Sequence, residues 1–180
     1  MSELYKNKSF WGLFIVIAIV ATITNSCKDT YNSIFAPEQL VNDGYEIYCK
    51  QSTHGFINAC RQFDYHGMIN NMYSDLGMLV SFEIADDKLT EDEKRNKAIN
   101  MIVKDVFDPK LNITPEKMKN MSITINSFEV LAGGFIKGNA TLSFANTGEN
   151  YNVAISYESA AETSWSRDKA WWYVEHISIQ

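Results

Sequence analysis

The chain has 180 residues, 46% apolar and 13% aromatic, with a formal charge of −6. That apolar share is enough for a packed core and excludes a disordered tail. The acidic balance, with no basic patch anywhere, argues against nucleic acid as a partner.

The first segment is a leader. Met1–Ser9 carries Lys6 and Lys8, residues 10–24 (FWGLFIVIAIVATIT) are uncharged, and Asn25-Ser26-Cys27-Lys28-Asp29 closes the run. A charged tail, a short apolar block and a small-residue exit are the parts of a secretory signal. The residues before Cys27 resemble a bacterial lipoprotein signal: Ser26 supplies the small side chain before the cysteine, although Thr24 stands where leucine is usual. Lys28-Asp29 is similar to a charged export tag. This resemblance implies lipidation at Cys27. An uncleaved membrane helix is the second reading, since the uncharged run 10–26 reaches the lower edge of the roughly 17–25 residues that cross hydrocarbon. Lys6 and Lys8 would then keep the N-terminus cytoplasmic. Cleavage with full release is the third. All three send the domain outside the cytoplasm, so the expected localisation is the bacterial cell envelope, with 1–27 as signal or membrane anchor. Because an acidic ectodomain is repelled by anionic headgroups, membrane contact falls to the anchor.

Residues 28–36 read as a polar linker reaching Pro37, which suits the first turn of a helix and opens one expected domain, 37–180. Leu40, Val41, Tyr45, Ile47 and Tyr48 recur at ragged helical spacing, and Phe56, Ile57, Ala59 and Cys60 continue a helical face to Phe63. Asp64 is placed to cap a short helix through Met68, Ile69, Met72 and Tyr73. Residues 77–85 (GMLVSFEIA) stay open between a strand and a buried helix end. The clearest helix runs from Thr90 to Phe107: Thr90-Glu91-Asp92-Glu93 is a capping box, and Ala98, Ile99, Ile102, Val103 and Val106 form one stripe. Asp108-Pro109 ends it.

After Pro115 the period changes to two. Residues 122–126 (SITIN) alternate, Gly133-Gly134 is a hairpin signal, and Ala140, Leu142 and Phe144 alternate with polar neighbours. Asn146-Thr147-Gly148 makes the next turn, and Tyr151, Val153, Ile155 and Tyr157 mark a third strand. A polar loop through Ser164–Asp168 leads to the last strand, Trp171 to Ile179. Helices followed by an antiparallel meander predict an α+β domain with its helices on one face of a twisted sheet.

Three cysteines are an odd count for an oxidising compartment. With Cys27 lipidated, Cys49 and Cys60 remain as a candidate disulfide. The bridge requires a break at Ser52-Thr53-His54-Gly55, because one unbroken helix would hold them roughly 16 Å apart, beyond disulfide reach. The alternative is two buried helix cysteines acting as small apolar residues.

Residues 56–65 (FINACRQFDY) and the closing stretch 172–179 (WYVEHISI) resemble the NTF2-like superfamily, in particular its small bacterial lipoproteins. The resemblance covers residues 37–179. It implies a cone in which N-terminal helices pack on a strongly curved four-stranded antiparallel meander, with a pocket between the concave face and the helices.

In strict alternation Trp172, Val174, His176 and Ser178 share one side of the last strand, and Trp171, Tyr173, Glu175 and Ile177 the other. Trp172, Glu175 and His176 are therefore the candidate pocket residues, though Glu175 and His176 cannot both face inward. A cone histidine is a candidate general base; a strand histidine satisfied by a hydrogen bond is the plainer reading. Asp64 and His66 look like an acid–base pair, but residues two apart on a helix do not face each other. In the polar loop, Trp165 beside Arg167 has the composition of a partner contact. No catalytic, cofactor or metal residue is assigned. The chain has no Gly-rich phosphate loop, no Gly-x-Ser-x-Gly elbow and no His-Glu-x-x-His, and its three histidines lack zinc spacing.

The expectation is a membrane-anchored, non-catalytic binding or scaffold domain that uses no cofactor and holds a small apolar ligand or a protein partner. Self-association as a homodimer stays open. The rival is a VirB8-like component of a type IV secretion system, with a cytoplasmic tail, one membrane helix and an NTF2-like periplasmic domain. An isomerase or cyclase using His176 or Glu175 is the third reading, and it requires a polar, ligand-sized cavity around that side chain.

Overall fold

Residues 44–132, 134–160 and 171–180 are described by the structure, a computed structural model. The anchor with Cys27, the linker, the stretch opening at Pro37, Gly133 and the loop bearing Trp165 and Arg167 lie outside them. Helices come first: α1 (Tyr45–Gln62), α2 (Tyr65–Asn71), α3 (Ser74–Glu83) and α4 (Glu91–Val106). A 3-10 turn (Pro109–Leu111) and the short α5 (Pro115–Lys119) lead into β1 (Met121–Val130), β2 (Ile136–Phe144), β3 (Glu149–Ala160) and β4 (Trp171–Ile179). The strands pair antiparallel in the order β1-β2-β3-β4, an open meander. The α+β class and the four-stranded meander are thus as the patterning predicts.

The ragged stretch around Tyr45 and the face beginning at Phe56 merge into one helix. The break expected at Ser52–Gly55 does not occur. Ser52 donates its hydroxyl to the Cys49 carbonyl at 3.1 Å, inside the helix. Gly55 is a packing position: a Cβ there would collide with the Asn71 amide of α2. The candidate disulfide is therefore corrected. Cys49 and Cys60 are buried, free, and on one continuous helix, eleven residues and roughly 16 Å apart. Burial pushes both thiols well above the ordinary cysteine range, with Glu46 adding to the effect at Cys49.

At its end α1 turns sharply. Phe63 takes a left-handed conformation, φ 54°, and the Asp64 N–H donates to the Ala59 carbonyl at 3.0 Å, a Schellman-type stop that usually uses glycine. Asp64 then caps α2 as predicted, its carboxylate accepting the Gly67 N–H at 3.0 Å. The ambiguous 77–85 stretch is mostly helix, the body of α3. The capping box of α4 is present in both directions: the Thr90 hydroxyl accepts from the Glu93 N–H, and the Glu93 carboxylate accepts the Thr90 N–H at 2.8 Å. The Thr90 N–H and, next, the Thr90 hydroxyl donate to the Glu93 carboxylate and hold it below the usual carboxylate range.

The helix layer is fastened to the sheet in two ways. Across the layer, Thr53 of α1 and Tyr157 of β3 share a buried hydrogen bond of 2.7 Å. Along the edge, backbone groups of the helical half bond to β4: Tyr73 N–H donates to the Val174 carbonyl at 3.1 Å, and Asp108 N–H to the Ile177 carbonyl at 2.8 Å. Short parallel bridges at Met72–Val174 and Phe107–Ile177 accompany them. They occupy the edge that β4 would otherwise leave open to another strand.

The strand β4 departs from strict alternation. Ser156 pairs with His176 but Tyr157 pairs with Val174, so Glu175 is an inserted residue with no partner across the ladder. Such a bulge turns every later side chain over. Trp172 and Val174 point inward as expected, and then Ile177 rather than His176 is buried.

Two outcomes are expected. A thiol reagent leaves Cys49 and Cys60 unmodified in the native chain and labels both in guanidinium. Thr53→Val strands the Tyr157 hydroxyl and lowers unfolding free energy by about 1–3 kcal/mol in urea titrations, and adding Tyr157→Phe recovers part of that loss.

Candidate functional site

The space between the sheet and α1 is occupied. Phe56 and Phe107, with ring centroids 5.8 Å apart, belong to one core cluster with Tyr157, Val174 and Ile155, all essentially inaccessible. Gly138 brings β2 close to the Tyr157 ring, where a Cβ would lie 3.1 Å from the phenol oxygen. Burial raises the Tyr157 phenol far above its ordinary range, against the opposing effect of its bond to Thr53. The polar pair inside this layer is neutral and mutually satisfied.

The three candidate pocket residues are not brought together. Trp172 is buried on the inner face, Glu175 is exposed at the bulge, and His176 is half-buried. The His176 ring Nδ1 lies 3.1 Å from the Asp105 carbonyl at the end of α4. That is the strand histidine satisfied by a hydrogen bond. Among the described residues, no three His, Cys, Asp or Glu side chains gather to hold a metal ion, and no helix is long and apolar enough to cross a membrane.

Among the described residues, the helical side carries two open clefts. The first is a cleft of about 610 Å³ at the α1–α2 corner, where Phe63, Tyr65 and Ile99 meet Gln62, His66 and Arg95. Here Asp64, Tyr65 and His66 do share one place, with the Tyr65 and His66 rings 4.0 Å apart. Two of the charged groups here are engaged: Asp64 caps α2, and Arg95 pairs with Asp92 at 2.9 Å.

The second lies on α3. Leu76 and Val80 face the core, whereas Met78, Leu79 and Phe82 are 57%, 50% and 77% exposed on the opposite side. Beside them runs a groove of about 540 Å³, lined by Ile69, Gly77, Met78, Ser81, Phe82 and Ala85. Gly77 lets α2 and α3 close up, since a Cβ there would sit 3.1 Å from the Ile69 methyl. Nothing in the patterning of 77–85 pointed outward. The available signal was composition: a ten-residue helix needs one apolar face, and this one is apolar on two.

Acidic side chains crowd the near end of this ridge. Asp75 is one turn before Met78 and Leu79, and Glu158 and Glu175 come from β3 and β4. Glu158 is raised above the usual carboxylate range, first by desolvation and then by Asp75 and Glu175. Tyr73 is raised by burial and then by Asp105, Glu175, Glu158 and Asp75. Among the described residues Asp75, Glu158 and Glu175 have no cationic partner. Sequence spacing cannot show this cluster, since its members come from three elements.

No family model, curated protein or solved structure matches the chain.

Because Glu158 binds its proton more tightly folded than unfolded, its contribution to stability is fullest below the ordinary carboxylate range. It is lost as pH rises through the raised value. Glu158→Gln is expected to raise the melting temperature by roughly 1–3 °C at about pH 7. The gain should vanish at about pH 3, where the native carboxyl is protonated in both states. Calorimetry at the two pH values checks it.

Proposed function

We propose that the chain is a membrane-anchored, non-catalytic binding or scaffold domain of the bacterial cell envelope, of the NTF2-like type. The order of elements, helices and then a meander closing on a tryptophan strand, supports the fold comparison. The leader supports the location. The binding role rests on one observation: Phe56, Phe107 and Tyr157 are buried beneath the sheet, while among the described residues open clefts lie on the helices.

An isomerase would hold its base in a polar cavity of ligand size. Glu175 is exposed on a bulge and the His176 ring is bonded to a backbone carbonyl, so neither side chain has the enclosure that tunes such a base. The uncharged run 10–26 keeps a VirB8-like secretion component as the alternative within the same reading.

The mass of the mature N-terminus, measured on membrane-fractionated cells, tests the proposal. A diacylated or triacylated Cys27 is expected. An intact Met1 in the membrane fraction would turn the reading to the VirB8-like arrangement, and a soluble cytosolic chain beginning at Met1 would overturn both.

A further inference from the structure

Met78, Leu79 and Phe82 leave a row of large apolar side chains in water along the roughly 15 Å of α3. Contiguous exposed apolar side chains beside a groove are the composition of a contact surface. The floor of the groove is small, with Gly77 and Ser81 one turn apart and Ala85 just beyond. The Ser81 hydroxyl donates back to the Gly77 carbonyl at 2.8 Å, so the floor has no hydroxyl seeking a partner. Its walls are the Ile69 side chain on one side and Met78 and Phe82 on the other.

Exposed acid predominates around the ridge, with Lys88 and Lys97 at its far end as the exceptions. Among the described residues Asp75, Glu158 and Glu175 have no ion-pair partner at its start, and Glu83, Asp86 and Asp87 are exposed at its end. Of these, Glu83 is paired, with Lys97 at 2.8 Å. Ionised together, the carboxylates at the start repel one another, and a partner bearing Lys or Arg would relieve that repulsion while covering the apolar row.

We propose that this face of α3 is a docking groove for a basic amphipathic helix of a partner protein. The proposal rests on the reading of the chain as a binding domain and names the surface and the chemistry of what it holds. The mode is helix-in-groove, with apolar anchors at helical spacing meeting Met78 and Phe82 and basic residues meeting the acidic rim. A partner strand is disfavoured here because the neighbouring edge of β4 is occupied by Tyr73 and Asp108. A second copy of this chain is disfavoured because a two-fold contact would set the acidic cluster against itself. Anionic lipid is disfavoured by the same charge.

The test uses the full chain carried in phosphatidylcholine nanodiscs, with empty discs as the reference. The probes are an amphipathic helical peptide of leucine and lysine and its leucine–glutamate counterpart. The lysine peptide is expected to bind in a protein-dependent way, and Phe82→Ser to weaken it at least about tenfold. Asp75→Asn with Glu158→Gln should weaken it about fivefold at about 0.05 M salt and much less at about 0.5 M. Phe82 is 77% exposed, so its replacement leaves the core intact, and an unchanged circular dichroism melt verifies this. Amide shifts confined to α3 and the ends of β3 and β4 would localise the contact.

Equal binding of the two peptides would overturn the proposal, as would indifference to Phe82→Ser. So would uptake by empty discs equal to that by loaded ones, or a homodimer of the chain that Phe82→Ser dissolves. The N-terminal mass is independent of this titration. A chain that bound the lysine peptide yet began at Met1 in the cytosol would sink the envelope reading and leave the groove standing.

Discussion

The fold depends on α1 lying across the sheet. Its inner side carries Cys49, Phe56 and Cys60, which are inaccessible together with Ile155, Tyr157 and Val174 opposite. Burying apolar area on both layers is the main source of stability, at about 25 cal/mol per Å². The Thr53–Tyr157 bond adds direction to an otherwise greasy contact, because a tyrosine hydroxyl buried without a partner is costly. At the start of the helix, the Tyr45 ring meets Phe128 edge-on at 6.1 Å and the Tyr48 ring lies 5.0 Å from Trp171. These aromatic contacts fix where α1 begins over the sheet, and so the packing beneath it.

With α1 seated, the remaining helices are carried to the β4 edge. Residues leaving α2 and α4 bond their backbones to Val174 and Ile177, so both helices are tied to the same strand. The bulge at Glu175 lies between these two ties. It keeps Val174 and Ile177 both facing inward although three positions separate them, and it puts His176 beside the end of α4. One inserted residue thus converts a candidate pocket histidine into a structural contact. It also pushes Glu175 outward toward Asp75 and Glu158.

Helix α3 is asymmetric in a way that stability alone does not require. Leu76 and Val80 are its buried contacts with the core, and Gly77 in its interior lowers helix propensity by about 1 kcal/mol relative to alanine. That glycine permits the close approach to Ile69, which shapes one wall of the groove. Met78, Leu79 and Phe82 lie outside the core, and Glu158 beside them, its carboxyl raised first by desolvation, opposes folding when ionised. Among the described residues the wet side of this helix is apolar and lies next to carboxylates without an ion-pair partner, the feature on which the proposed docking groove rests.

Much of the architecture was legible because it is written in local patterns. The Thr90–Glu93 box, the stripe ending at Val106, the Asp64 cap and the alternation of Ala140, Leu142 and Phe144 depend on neighbours within a few residues, and each appears where its spacing put it. The α+β class followed from the change of period after Pro115. What the sequence could not determine was every feature made by residues distant along the chain. Helix α1 runs through Ser52–Gly55 because Gly55 packs on Asn71, which parts Cys49 from Cys60. The face of His176 depends on a bulge created by pairing with β3. The acidic cluster exists only where α3, β3 and β4 converge. Periodicity reports which face of an element is apolar, but contact across the fold decides which of two apolar faces meets the core, and that choice leaves Phe82 in water.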